Sequence, residues 1–244
     1  ENVNAGIALQ AYLPDSFRAQ KRINAWARER VAAGAGPITI RLVKGANLEM
    51  ERVEASLCDW PQAPFMSKAE VDASFKRMVH EGLKAENIAA VRLGIATHNL
   101  FDLAYALVCA TEAQVLDRIQ FEMLEGMANH QRRALFETCH SLLLYAPATR
   151  KEDFINAIGY LIRRLDENTG EENFLRHTFK LEVDSEDWHC LEEDFRQSFQ
   201  LIDGLSDEPR RTQNRAKPPA PPENPHGLEF VNEPHTDFAL PENA

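Results

Sequence analysis

Apolar and polar positions along this chain fall into two alternating periods. Five short apolar, β-favouring runs stand out: Ile7–Leu13, Pro37–Lys44, Ala89–Ala96, Arg118–Leu124 and Ser141–Tyr145. Each is followed by a stretch with helical spacing: Ser16–Ala33, Lys68–Ala85, Leu100–Thr111, Ala128–Cys139 and Arg150–Glu167. Ser67 with Glu70 and Thr149 with Glu152 read as capping boxes, and Asn99 as a helix N-cap. Strand then helix, repeated about every 35 residues, is the βαβ pattern of a parallel sheet.

Two architectures fit, an open doubly wound sheet and a closed (β/α)8 barrel. A dinucleotide-binding open sheet calls for G-x-G-x-x-G after its first strand, and the chain has none. The polar groups of interest cluster at the C-terminal ends of the runs: Arg41 and Lys44, Thr97-His98-Asn99, Glu122 and Tyr145. That is where a barrel carries its active site. The expected fold class is therefore α/β, the C-terminal five βα units of a (β/α)8 TIM-like barrel. Eight units at this spacing would occupy about 280 residues, so three are expected to precede Glu1, in a piece cut from a longer protein. Residues 1–180 are expected to be the partial barrel and 181–205 closing helices, including Leu191–Leu201. Eight of the 13 prolines fall between Pro209 and Pro241, so 206–244 is expected to be a Pro-rich linker or surface arm.

Composition narrows the function classes. The chain of 244 residues is 44% hydrophobic and 27% charged, an ordinary globular balance. Lys+Arg number 27 against Asp+Glu 38, a formal net charge of -11. Such a chain is a poor non-specific binder of nucleic acid, whose phosphates need Lys and Arg. No apolar run approaches the roughly 20 residues of a membrane span, and the N-terminus lacks a signal-peptide pattern. Cys58, Cys109, Cys139 and Cys190 lie far apart without a C-x-x-C pair. They read as free thiols of a reducing compartment, not as a disulfide framework.

Three segments could carry chemistry. Arg41-Leu42-Val43-Lys44-Gly45-Ala46 ends a strand with two cations and a glycine. It reads as a strand end with solvated charges, as an anion or flavin clamp, or as the site of a Schiff-base lysine at Lys44. In Gly94-Ile95-Ala96-Thr97-His98-Asn99, Asn99 is at least a cap and His98 a structural histidine or a ligand contact. No metal site is expected, because His98, His130 and His140 show no ligand spacing on one element. In Arg150–Glu167, Phe154, Ile155, Ile158, Leu161, Ile162 and Leu165 form an apolar face, opposed by Tyr160, Arg163, Arg164 and Glu167. That polar side is either solvated, or it lies over the barrel mouth. In the second case two adjacent guanidinium groups can hold a carboxylate by bidentate hydrogen bonds.

Six segments occur in an order that resembles the proline dehydrogenase family, and in particular the flavoprotein domain of bifunctional bacterial proline utilisation enzymes. They are Gln10-Ala11-Tyr12, Arg41–Ala46, Thr97-His98-Asn99, Phe121–Met127, Tyr145-Ala146-Pro147 and Tyr160–Asn168, and the likeness covers about residues 5–180. The resemblance implies noncovalent FAD and oxidation of L-proline to Δ1-pyrroline-5-carboxylate, with electrons passed to a membrane quinone. It implies that Arg163 and Arg164 hold the proline carboxylate and that Tyr145, Tyr160 and Leu124 line the ring. It places Arg41 by the flavin N5 and O4 edge and Gln10 on the pyrimidine side. Val43, Gly45 and Ala46, with Lys44 nearby, support the cofactor. Thr97, His98, Asn99 and Glu122 face its adenosine and pyrophosphate half, and Glu167 and Phe174 close over it. Asn47 departs from the Tyr of many relatives, and the family's strand-borne lysine near the substrate has no counterpart here.

The resemblance further implies a cytoplasmic enzyme with peripheral contact to the inner face of the cell membrane. Its arm would lead to an aldehyde dehydrogenase domain that uses NAD on glutamate semialdehyde. The residues alone leave open a Schiff-base barrel aldolase using Lys44, an inactive fragment, and any oligomeric state.

Overall fold

The computed structural model describes residues 4–139, 142–170, 173–178, 181–217 and 232–244, without the side chains of 166–169. Five parallel strands form one sheet in the order β1-β2-β3-β4-β5: Gly6–Gln10, Ile38–Val43, Val91–Ala96, Ile119–Leu124 and Leu142–Tyr145. Each lies within a predicted run or one residue outside it. Chain order equals spatial order, as in successive βα units of a barrel wall.

The helices are α1 (Ser16–Ala32), α2 (Leu48–Cys58), α3 (Lys68–Leu83), α4 (Ala85–Ile88), α5 (Leu100–Glu112), α6 (Asn129–Cys139), α7 (Phe154–Thr169), α8 (Phe174–Thr178) and α9 (Glu186–Gln200). The Ser67–Glu70 capping box forms, and Asn99 Oδ1 accepts from the amides of Phe101 and Asp102. The Thr149–Glu152 box does not form. A 3-10 turn, Lys151–Asp153, leads into α7 instead, and Thr149 Oγ1 donates to the Arg150 carbonyl. The expected helix over Lys68–Ala85 breaks at Lys84, whose extended backbone starts the short α4. Helix α2 was not anticipated. It buries only Ala55 and leaves Met50, Val53 and Leu57 exposed, so its apolar positions make little of a core stripe.

Strand parity sorts the sheet residues. Ile38, Ile40 and Leu42 of β2, Val91, Leu93 and Ile95 of β3, and Phe121 and Met123 of β4 are buried in one core with Phe75, Met78 and Val79 of α3 and Leu103 of α5. The intervening residues, including Arg41, Glu122 and Leu124, share the opposite face of the sheet.

Helix α9 docks on α3 and α5 through aromatic contacts. Phe195 stacks on Phe101 at 5.6 Å and meets Phe199 edge-on at 5.2 Å. Lys76, 1% exposed, places Nζ 4.4 Å from the Phe195 centroid and donates to Ser198 Oγ at 2.7 Å. Burial pushes its pKa down, and Asp102 opposes that shift. The described parts of the Pro-rich arm lie against the protein surface. Glu208 and Asp207 pair with Arg18 and Lys21 of α1. Arg210 and Arg211 donate to the carbonyls of Pro64 and Pro61, and Trp60 Nε1 donates to the His235 carbonyl.

One expectation about α7 fails. Phe154, Ile155, Ile158, Leu161, Ile162 and Leu165 remain 42–76% exposed, and Ala157 is the residue of α7 that is buried among those described. No described element covers the apolar stripe that the periodicity predicts to be buried.

The aromatic seam gives a stability test. Phe195→Ala removes the ring that Phe101, Tyr105, Phe199 and Lys76 share. Because Phe195 is half-buried, the expected cost is about 2–3 kcal/mol, below the range for a fully buried ring. It should appear as a lower urea midpoint of the protein carrying this chain, with early proteolysis within α9. An unchanged midpoint would mean that α9 is not held by this seam.

Candidate active site at the C-terminal ends of the strands

Arg41 and Lys44 lie three residues apart, and the strand sends them to opposite faces. Lys44 turns into the helix layer. Its Nζ lies 2.5 Å from Asp72 of α3 and 2.5 Å from Asp102 of α5. Asp72 also meets Lys68 at 2.7 Å, and Asp102 lies 3.6 Å from Lys76. Burial alone would lower the Lys44 pKa, but the two carboxylates outweigh it and hold the ammonium above the ordinary lysine value. For Asp72 burial pulls upward, and Lys44 with Lys68 overcome it, keeping the carboxyl well below the usual range. Two of the sequence expectations for Lys44 therefore change. An ammonium locked between two carboxylates is not an amine nucleophile. Its charge is also neutralised on the helix side rather than presented to a cofactor.

Gly45 has φ +141, and a Cβ there would fall inside the ring of the buried Tyr12. The close approach foreseen at this glycine is thus in part to Tyr12, whose amide donates to the Lys44 carbonyl at 2.8 Å.

On the other face Arg41 Nε lies 2.5 Å from Glu122 Oε2 of β4. The two atoms meet as charges without an aligned N–H···O hydrogen bond. The Glu122 side chain is 3% exposed and that of Arg41 29%. Burial raises the Glu122 pKa, and the Arg41 guanidinium acts against that rise. The pair spans β3 at Gly94, where a Cβ would overlap Glu122 Oε1 and lie 3.4 Å from Arg41 Cα. The Arg41 guanidinium also sits 5.0 Å from the Tyr145 centroid. Tyr145 and Tyr160 pack at 6.0 Å, Arg164 lies 5.2 Å from the Tyr160 centroid, and Arg164 Nη2 donates to the Ala46 carbonyl at 3.0 Å. Glu122, Arg41, Tyr145, Tyr160, Arg164 and Ala46 thus form a chain of contacts that starts at β4 and returns to the loop after β2.

The remaining candidates separate. Gln10, Val43 and Leu124 share the Arg41 face by register. Thr97 Oγ1 accepts from the Asn99 amide, and Asn99 caps α5. His98 Nε2 accepts from the Leu124 amide at 3.1 Å, and burial lowers its pKa, so the ring is neutral with its proton on Nδ1. Arg163 is exposed, without a hydrogen bond or ion pair among the described residues, while Arg164 is anchored. Phe174 is buried edge-on against Phe101 at 6.4 Å. The Glu167 side chain lies outside the described residues. Glu122, expected to face the adenosine and pyrophosphate half of the cofactor, has its carboxylate against Arg41. Sequence reasoning gave no role to Gly94, Asp72 or Asp102. A glycine inside an apolar strand run is the signal that pointed to the first. No group of three or more His, Cys, Asp and Glu side chains among the described residues could hold a metal.

A parallel sheet of successive βα units, with its polar constellation at the C-terminal strand ends, defines an α/β protein of the TIM-barrel type. Proline utilization A from Corynebacterium freiburgense matches it with a TM-score of 0.75 and 41% identity, over 87% of this chain and 20% of that one. Proline utilization A from Bdellovibrio bacteriovorus, inactivated by N-propargylglycine, matches with a TM-score of 0.74 and 32% identity, over 96% and 22%. Proline dehydrogenase 2 of Bacillus subtilis is 30% identical over 129 residues, 52% of this chain and 36% of that protein. The family model for proline dehydrogenase matches residues 1–177. The chain belongs to the proline dehydrogenase family, and it spans about a fifth of the length of these two solved relatives.

The Lys44 network sets a pH test. A carboxylate whose pKa is depressed by folding adds stability above its unfolded value, about 3.9 for Asp. That stability is lost as pH falls through the folded value. A lysine whose pKa is raised adds stability below its unfolded value, about 10.4, and loses it as pH rises through the folded one. The stability gap between wild type and Asp72→Asn should therefore be constant from about pH 5 to 8 and shrink below about pH 4. Denaturant midpoints across pH measure it. A gap that varies between pH 5 and 8 would contradict the assignment.

Proposed function

We propose that this chain supplies part of the active site of an FAD-dependent proline dehydrogenase, which oxidises L-proline to Δ1-pyrroline-5-carboxylate and passes the electrons to a quinone. The observation that carries this reading is the Arg41 guanidinium. It meets Glu122 at Nε near the C-terminal end of β2, is flanked by Tyr145, and its terminal nitrogens make no hydrogen bond among the described residues. Family membership and the proline utilization relatives support the substrate class.

The residues present fit a flavin. Reduction gathers negative charge on the isoalloxazine edge. A cation with two unused donor nitrogens, beside the Gln10 amide two strand positions from its register partner Ala8, is the donor set such an edge calls for. When bound, FAD supplies the two-electron acceptor for hydride leaving proline C5. Gln10, Arg41 and the backbone of Val43, Gly45 and Ala46 would hold it, with Thr97, His98 and Asn99 along its far half and Phe174 and Glu167 beyond α7. Tyr145, Tyr160 and Leu124 would wall the proline ring. Arg164, anchored on Ala46, and Arg163 would take the carboxylate, fixing the far end of the ring so that C5 is oriented.

We assign 1–180 to the barrel, 181–205 to closing helices and 206–244 to an arm towards an NAD-dependent glutamate semialdehyde dehydrogenase domain. We place the protein in the cytoplasm, with peripheral contact to the membrane that holds the quinone. No helix among the described residues is long and apolar enough to cross a membrane.

In the full-length protein, proline should bleach the bound flavin anaerobically. Arg41→Met should slow that reduction about 10- to 1000-fold at saturating proline, with a smaller change in proline affinity. A normal rate would remove Arg41 from the reaction. Arg164→Ala removes a charged hydrogen-bonding group, a loss of about 1.5–3 kcal/mol, or roughly ten- to 150-fold in kcat/KM, mostly as a higher KM with flavin retained. Unchanged proline kinetics would refute the carboxylate role.

A further inference from the structure

The geometry points to Glu122 as the positioning residue for Arg41, acting through a gap that only a glycine at position 94 leaves open; its catalytic consequence rests on the proposed flavin reaction. Three observations converge. The Glu122 side chain is 3% exposed, and its Oε2 meets Arg41 Nε at 2.5 Å from two strands away. Gly94, on the strand between them, is the register partner of Arg41, and a Cβ there would overlap Glu122 Oε1. Arg41 makes no other ion pair or hydrogen bond among the described residues, and Tyr145 packs on its guanidinium at 5.0 Å.

An arginine on a strand end is a long, flexible side chain with five donors in a planar fork. A carboxylate against Nε and a ring against the group restrain its plane at two points. The two terminal nitrogens are left without a hydrogen bond among the described residues, and their direction is set before any ligand arrives. Glu122, with its side chain 3% exposed, acts through Arg41. It removes rotamer freedom that binding would otherwise have to remove, which is how preorganisation strengthens a charge-stabilising contact. Glycine weakens a strand interior, and its presence inside β3 is accounted for by this close approach.

The test uses the full-length protein in two states. In the FAD-free protein, the rate at which phenylglyoxal modifies Arg41, read by peptide mass spectrometry, reports the ion pair without any turnover. Glu122→Ala should raise that rate about fivefold, because the carboxylate against Nε shields the guanidinium and holds it in one place. In the FAD-loaded protein, Glu122→Ala should slow flavin reduction about tenfold at saturating proline and change KM less than about twofold, the split expected of lost transition-state stabilisation. Glu122→Gln, which keeps a side chain of the same shape with a polar oxygen beside Nε, should recover the rate to within about threefold of wild type. In an Arg41→Met background, Glu122→Ala should slow reduction by no more than about twofold, since its effect runs through Arg41. Gly94→Ala adds one methyl, removes no polar group and should reproduce both effects of Glu122→Ala; it carries the test if that variant fails to fold. Equal slowing by Glu122→Ala with and without Arg41, or an unchanged modification rate in both Glu122→Ala and Gly94→Ala, would overturn the assignment. If proline fails to reduce wild-type flavin while Glu122 still protects Arg41, the proposed reaction is wrong and the positioning pair stands.

Discussion

The buried ammonium of Lys44 is the contact on which the arrangement depends. It ends β2, and its two carboxylate partners come from α3 and α5. Asp102 then reaches Lys76, which carries α9 through Ser198 and the Phe195 and Phe199 rings. One charge cluster therefore joins the end of β2 to three helices. Leaving one of its members unpaired exposes a buried charge, at about 3–5 kcal/mol. The loop that follows β2 inherits this fixity. Gly45 sits against Tyr12, and the Ala46 carbonyl receives Arg164.

The period of a β-strand explains why two cations so close in sequence do different work. Lys44 is spent on the helix side, where both carboxylates and burial surround it. Arg41, on the other face, keeps one carboxylate at Nε, and its terminal nitrogens make no hydrogen bond among the described residues. The first contact builds the scaffold, and the second is available to a ligand. Exchanging their faces by a one-residue slip of β2 would put a scaffold charge in the mouth and a ligand-facing charge in the core, which is why parity here is strongly specified.

The strands were legible because β-favouring runs, bounded by turn residues, repeat at even spacing. All five appear within a residue of the predicted runs, and so do the Ser67 and Asn99 caps. The candidate mouth residues Arg41, Glu122, Leu124 and Tyr145 were legible as a group because they sit at strand ends. Their pairings were not. Asp72 and Asp102 lie 28 and 58 residues beyond Lys44 in the sequence, so nothing local distinguished a scaffold lysine from a ligand-binding one. Glu122 was read as a cofactor contact because sequence shows which face a residue occupies and not which charge it meets across an intervening strand. Helix α2 escaped because its apolar positions stay exposed, which weakens the periodic signal. The α7 stripe shows the opposite error, a strong helical period whose apolar face no described residue covers.

Long-range electrostatics sharpen what the mouth can select. At a net charge of -11, the chain as a whole repels anions. That repulsion is screened beyond about 8 Å at physiological ionic strength. Closer in, the mouth holds Arg41 and Arg164 against one buried carboxylate, Glu122, which is already committed to Nε. On the proposed reading, an anionic ligand would be held by short charge-assisted hydrogen bonds and not by attraction to the whole protein. Recognition of that kind depends on where each nitrogen points, and each arginine is restrained here by a neighbouring oxygen: Glu122 at Arg41 Nε, and the Ala46 carbonyl at Arg164 Nη2. On that reading, the selectivity of the site would reside as much in the groups that restrain the two arginines as in the arginines themselves.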